Sequence, residues 1–209
     1  MTDNNGSYSL PFESAEVLQA IEPIVESVYR ALEDAIDLGK QFFPEGKRID
    51  PFLFPNLVRY HTLERLQPAS LEIDQFVIER LSNNGISMRF REYQIRIWKA
   101  DEGELPAPGY SQSKIQFYEQ QELFAGMRYL KLAIIWDVTP AGTLKKLLLV
   151  CPKGDGPPFA NGLAHWQIEI PHPATKISAP PRAINAASDD LPLTRIGGIK
   201  KVSGDEGND

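Results

Sequence analysis

Residues 130 to 137 read LKLAIIWD, and they are apolar on both sides of any extended strand. Leu130, Leu132, Ile134 and Trp136 alternate against Lys131, Ala133, Ile135 and Asp137. Successive strand side chains point to opposite faces, so this segment asks for cover above and below. It therefore reads as a central strand packed by helices rather than as half of an open sheet. The turn Thr139-Pro-Ala-Gly-Thr143 follows, and a second apolar run through Cys151 completes a β-hairpin. HWQIEIP adds another strand, with Trp166, Ile168 and Ile170 inward and His165, Gln167 and Glu169 outward.

A parity switch locates a second hairpin. Ile86, Met88 and Phe90 alternate on even positions, whereas Tyr93, Ile95 and Ile97 alternate on odd ones. One continuous strand would send these two sets to opposite faces. A reversal at Arg91-Glu92 reunites them, pairing Phe90 with Tyr93, Met88 with Ile95 and Ile86 with Ile97. Arg-Glu is poor turn chemistry beside Asn-Gly, so a longer turn or a bulge is the competing form. Ser87, Arg89, Gln94, Arg96 and Trp98 then share the other face.

Helices precede the sheet. From Ser14 to about Phe43 a stripe of Val25, Val28, Leu32, Ala35, Ile36 and Gly39 recurs at steps of three and four. Pro23 opens or kinks this helix, and Glu26, Glu33, Asp34 and Asp37 occupy its other face. A loop at FFPEGKRIDPF leads to a second helix, PNLVRYHTLERL, with Pro55 near its start and Pro68 closing it. LEIDQFVIERLSNNG reads as a third helix from Ile73, Phe76, Val77 and Leu81, with Asn-Asn-Gly as its cap; its β-branched content makes a strand the competing form. SKIQFYEQQELF reads as a short helix with Ser113 as N-cap, with an extended first half as the alternative. Pro171 to Asp209 is rich in Pro, Ala, Ser, Asp and Gly; only DDLPLTRIGGI (189 to 199) forms an apolar island that could dock.

The expected fold is therefore α+β: N-terminal helices packed on an antiparallel sheet of about five strands, with a flexible C-terminal tail. The expected organisation is a flexible lead-in over 1–12, a single domain over 13–170 and a Pro/Ser/Gly-rich tail over 171–209.

The formal charge of −6 argues against general affinity for double-stranded DNA, whose binding draws on lysines and arginines facing phosphates. The polar, acidic start lacks a signal-peptide pattern, and no apolar run approaches the roughly 18–20 residues that cross a bilayer. With Cys151 as the one cysteine, no intrachain disulfide can form. A cytoplasmic, membrane-free protein is the expectation.

Catalytic signatures are sparse. His61 and Glu64 share a helix face, but no HExxH, CxxC, GxSxG, Walker loop or GxGxxG occurs. No metal or cofactor is expected, and no catalytic residue is assigned. Cys151 reads as a core thiol, and Asp137 as a strand-end carboxylate with an acid or ligand role as its alternative. The candidate binding residues are Arg89, Arg91, Arg96, Trp98 and Lys99: guanidinium forks suit phosphates, and an indole suits stacking on a base. The competing reading pairs these cations internally, with the acidic helix or with the loop Asp101-Glu102-Gly103-Glu104, and packs Trp98 under that loop.

LSNNGISMRF, ADEGELPAPGYS, IIWDVTPAGTLKKLLLVCPKG and HWQIEIPHP resemble landmarks of a bacterial protein family with no assigned activity, over about residues 80 to 173. Helices followed by MRFREYQIRIW also resemble the RelE-type ribonuclease toxins, in which arginines and aromatics on a small sheet act on RNA; this chain is about twice their length. Two functional expectations follow. One is a non-catalytic interaction module with a protein partner or self-association, part of a regulatory or toxin–antitoxin-like defence pair. The alternative is an RNA-binding or RNA-cleaving protein using the hairpin at 86–99, with His61 or His165 assisting.

Overall fold

The computed structural model describes residues 13–43, 49–82, 85–99, 104–120, 129–154 and 160–175, all within the unit Met1–Thr175. The lead-in, residues 101–103 of the acidic loop and the tail beyond Thr175 lie outside the described residues.

Helix α1 spans Ser14–Ala20 and α2 spans Glu22–Lys40, with Pro23 in the first turn of α2. Pro23 thus opens the second helix, where its missing N–H has no partner to lose. Every residue of the predicted stripe in α2 is buried, along with Ile24, Tyr29 and Ala31. Helix α3 spans Leu53–Glu72 and packs along α2 through Phe54, Val58, Leu63 and Leu66. Asp50 starts it: its Oδ1 accepts from the N–H groups of Phe52 at 2.8 Å and Leu53 at 2.7 Å. Pro68 does not close this helix. It lies inside, exposed, and α3 runs one more turn before Ile73 donates its N–H to the Ala69 carbonyl at 2.9 Å.

The segment expected as a third helix is a strand. Gln75 adopts φ 60° and breaks the chain from α3, and β1 (Phe76–Arg80) begins at once. Phe76 and Ile78 alternate onto the core while Val77 and Glu79 turn away. The helical spacing there was a coincidence of four apolar residues. Strands β2 (Ile86–Phe90) and β3 (Tyr93–Lys99) form the hairpin in the expected register, Phe90 opposite Tyr93, Met88 opposite Ile95 and Ile86 opposite Ile97. Its tight turn puts Arg91 at φ 52°, a left-handed conformation that costs an L-residue about 1–2 kcal/mol. The Arg91 guanidinium covers the Phe90 ring at 4.9 Å.

Helix α4 (Gln112–Tyr118) is followed by β4 (Leu130–Val138), β5 (Leu144–Lys153) and β6 (Leu163–Glu169). Its N-cap is Ser111, not Ser113. The fold is α+β as expected, but the sheet has six strands in the order β1-β2-β3-β4-β5-β6. It is also mixed rather than antiparallel, because β3 and β4 run parallel. Parallel neighbours need a crossover, and the segment containing α4 provides it.

Two cores result. On one face, Ile86, Met88, Ile95, Ile97, Leu132, Ile134, Trp136, Leu147 and Leu149 meet α1–α3, with the Phe54 ring edge-on to Trp136 at 6.4 Å. On the other, Ala133, Ile135, Leu148 and Val150 meet Phe117 and Tyr118 of α4 and Leu105. Strand β4 is buried on both sides, as its composition demanded. Pro152 leaves a gap in the β4–β5 ladder, since it has no N–H to give Lys131. Gln120 fills it: its Nε2 donates to the Lys131 and Pro152 carbonyls at 2.8 and 3.2 Å, while its Oε1 accepts from the Lys131 N–H at 2.9 Å. A bulge opposite Pro152 skips His165, so Ala164 joins the second core while Trp166 joins the first.

Beyond β6, His172 anchors the chain to α2. Its Nδ1 accepts the Ala174 N–H at 3.0 Å, its Nε2 meets Glu33 Oε1 at 3.2 Å, and Tyr29 lies edge-on to the ring.

Gly162 donates its N–H to the Leu105 carbonyl at 2.8 Å, and a β-carbon there would lie 2.4 Å from Tyr118 Cε1. Gly162→Ala is expected to destabilise the fold by about 1–3 kcal/mol, read as a lower denaturant midpoint with unchanged slope. Asp50 gives a pH signature. The N–H groups of Leu53 and Phe52 lower its carboxyl pKa, so its contribution is present above the unfolded value near 3.9 and fades as pH falls through the lower folded value. The melting temperatures of wild type and Asp50→Ala should therefore differ at neutral pH and converge in acid. A gap that stayed unchanged from neutral pH into strong acid would show that the charge contributes nothing.

Candidate functional site

The five predicted binding residues do not form one surface. Arg89, Arg96 and Trp98 share the face of the sheet under α4, Arg91 sits in the turn, and the parity of β3 turns Lys99 toward the opposite face, in register with Trp136. Lys99 is itself partnered. Arg89 is paired across β1 with Glu79, a partner supplied by the strand that had been expected as a helix. Glu104, the described acid of the loop, accepts from Asn161 instead.

Trp98 is roofed by the helix that follows. Its ring is edge-on to Phe117 at 5.3 Å and stacked on Tyr118 at 5.7 Å with 26° between planes. The Tyr118 hydroxyl donates to the Pro106 carbonyl, and burial pushes its pKa up. The indole face offered to a base in the RNA reading is thus occupied from within.

The remaining cations lie around this aromatic group. Arg96 donates to the Ser113 carbonyl at 3.3 Å and to Ser113 Oγ at 3.0 Å, with its guanidinium 4.4 Å from the Phe117 ring. Lys114 donates to the Ala107 carbonyl at 3.0 Å and lies 5.7 Å from the Trp98 ring. Lys131 is buried, with its Nζ on the Gln116 carbonyl at 2.9 Å. Burial lowers the pKa of all three, and the Arg96 charge adds to the effect on both lysines.

The other expected chemistry is dispersed. His61 lies on α3 between Phe42 and Tyr60, and its Nδ1 is 3.3 Å from Glu64 Oε2, as their spacing required. His165 is the exposed bulge residue of β6. His61, on the helical layer, does not belong to the face that carries Arg89 and Arg96. Asp137 accepts the Val138 N–H at 2.9 Å and meets Lys145, the extra residue of a second bulge, at 3.5 Å. Burial pushes the Cys151 thiol up to about 12, which keeps it protonated and unreactive at neutral pH. Among the described residues no group of three or more His, Cys, Asp or Glu is placed to hold a metal ion, and no helix is long and apolar enough to cross a membrane.

A surface that motif reading missed lies on the helical layer. Phe42 is 61% exposed, Phe52 82% and Leu53 51%. Leu53, Leu57 and Tyr60 follow one another at helical steps, and Phe42 stacks on His61 at 6.2 Å beside Tyr60. The only sequence signal was that α3 carries apolar residues on more than one face.

No family model matches the chain, and neither a curated protein nor a solved structure does. The class is set by the fold alone: an α+β domain with a six-stranded mixed sheet between unequal layers.

Trp98→Ala should cost on the order of 2–3 kcal/mol, below the 3–5 typical of a fully buried aromatic. Arg89→Ala should cost about 0–1 kcal/mol, because its pair with Glu79 is more than one-third exposed and screened by solvent. Urea titrations of both variants check this order, and a reversal would place Arg89 at the structural centre of the hairpin instead.

Proposed function

We propose that this protein is a non-catalytic interaction module, one half of a two-protein regulatory or defence pair, that binds its partner through the exposed strip of α2 and α3. The observation that carries this reading is the exposure of Phe42 just past α2, of Phe52 and Leu53 at the start of α3, and of Tyr60 along it. Exposed apolar patches of several hundred Å² mark interaction surfaces more often than they occur by chance on monomers. Glu26, Glu33, Asp34 and Asp37 stand on the outer face of α2, where they meet Arg30, His172, Arg65 and Lys40, and the chain as a whole carries a formal charge of −6. A second copy of this acidic chain would bring like charges together, so the partner this surface fits is a different protein with an apolar centre and a basic rim. The tail island at 189–199 is a second contact in this reading. RNA contact through the hairpin is the weaker alternative, because Arg89 is paired and Trp98 is covered.

The test is recovery of a stoichiometric partner, identified by mass spectrometry, purified and titrated against three forms of the protein. A Phe52→Ser/Tyr60→Ser variant should weaken binding at least tenfold without loss of the folded signal, and deletion of residues 185–209 should weaken it further. Full-strength binding by the double variant would sink the assignment of the surface. Salt-sensitive RNA binding lost in Arg89→Ala/Arg96→Ala, with no protein partner, would favour the alternative.

A further inference from the structure

Arg96, Lys114 and Arg59 share an uncommon trait: among the described residues, each charged group is partly buried and hydrogen-bonded to neutral acceptors alone. Arg96 uses the Ser113 carbonyl and hydroxyl, and Lys114 uses the Ala107 carbonyl. Arg59, on α3, donates from Nε to the Pro55 carbonyl at 3.2 Å and from its terminal nitrogen to Asn56 Oδ1 at 2.7 Å. Arg96 and Lys114 lie over the same aromatic pair, Phe117 and Trp98, and burial, then the charges of Arg96 and Arg59, lower the Lys114 pKa. Among the described residues Arg96 Nε is buried with no hydrogen-bond partner. Partly buried cations are ordinarily offset by carboxylates, and this chain has 28 of them against 22 lysines and arginines. Among the described residues, β3 and α4 nevertheless bring the Arg96 and Lys114 charges over one aromatic pair with no carboxylate bonded to either.

We propose that Arg96 and Lys114 form a binding site for a small oxyanion of the phosphate-monoester class. The guanidinium of Arg96 supplies a fork, and Lys114 supplies a point charge. The Phe117–Trp98 pair beneath them fixes both side chains on a rigid floor. The ligand is recognised through its oxyanion rather than by base stacking, since Trp98 already stacks on Tyr118. The cations also gather around one aromatic pair instead of spreading along a track, which suits one phosphate group better than a phosphodiester chain. This site is separate from the α2–α3 strip and stands or falls independently of the partner reading.

The probes are inorganic phosphate and a single-stranded RNA decamer, each titrated into the full chain at constant ionic strength and followed by thermal shift and phosphorus NMR. Saturable binding of inorganic phosphate is expected, weakened at least tenfold by Lys114→Gln. Arg89→Gln should bind as wild type does, because Arg89 is neutralised by Glu79. Arg96→Gln should behave like Lys114→Gln; if it fails to fold because Ser113 loses its partner, the Lys114 variant still decides. No saturable binding of phosphate, or binding unchanged in Lys114→Gln, overturns the proposal. So does RNA binding through these residues with no response to phosphate alone.

Discussion

Burial of β4 on both faces is the constraint on which the rest of the structure depends. Trp136, Ile134 and Leu132 require one layer, while Ala133 and Ile135 require another. Each large apolar side chain taken fully out of water contributes about 1.5–3 kcal/mol, so neither face can be left wet. Helices α2 and α3 cover the first face. The second is covered by α4 and the strand-connecting segment around Leu105, which must cross the sheet to reach it. That crossing places β4 parallel to β3, and so the mixed sheet follows from the need to roof β4.

The smaller layer explains the fate of the cations. Lys131 and Arg96 belong to the face that α4 covers, so roofing the sheet buries charge along with Ala133 and Ile135. The short helix answers with what it has in reach: the Ser113 and Gln116 carbonyls and the Ser113 hydroxyl. A half-buried cation held by carbonyl dipoles is hydrogen-bonded but not neutralised, and that distinction separates Arg96 from Arg89. Gln120 does a related task at the other end of α4, replacing the N–H that Pro152 lacks.

Parity carried most of what was legible. The even-to-odd switch between Phe90 and Tyr93 specified the β2–β3 register residue by residue, because a side-chain period of two leaves one arrangement that buries both sets. The β4–β5 hairpin and β6 were legible for the same reason, and the α2 stripe through its period of 3.6. Residues 73–81 misled because a short apolar run fits either period; the deciding feature was the left-handed Gln75, which no composition rule marks. Pro68 misled because a proline on an exposed face near a helix end loses one hydrogen bond without halting the chain.

By itself the sequence determined the α+β class, the β2–β3 register and the two-faced burial of β4, since each rests on a local period that any fold must respect. Only the tertiary structure decided the parallel joining of β3 to β4, the pairing of Arg89 with Glu79 and the gathering of Arg96 and Lys114. Those depend on which distant segments crossing and packing bring together, and a one-dimensional pattern does not encode that distance. The same holds for the α2–α3 strip: Phe52 and Tyr60 are apolar in any reading, and only the placed helices leave them facing outward.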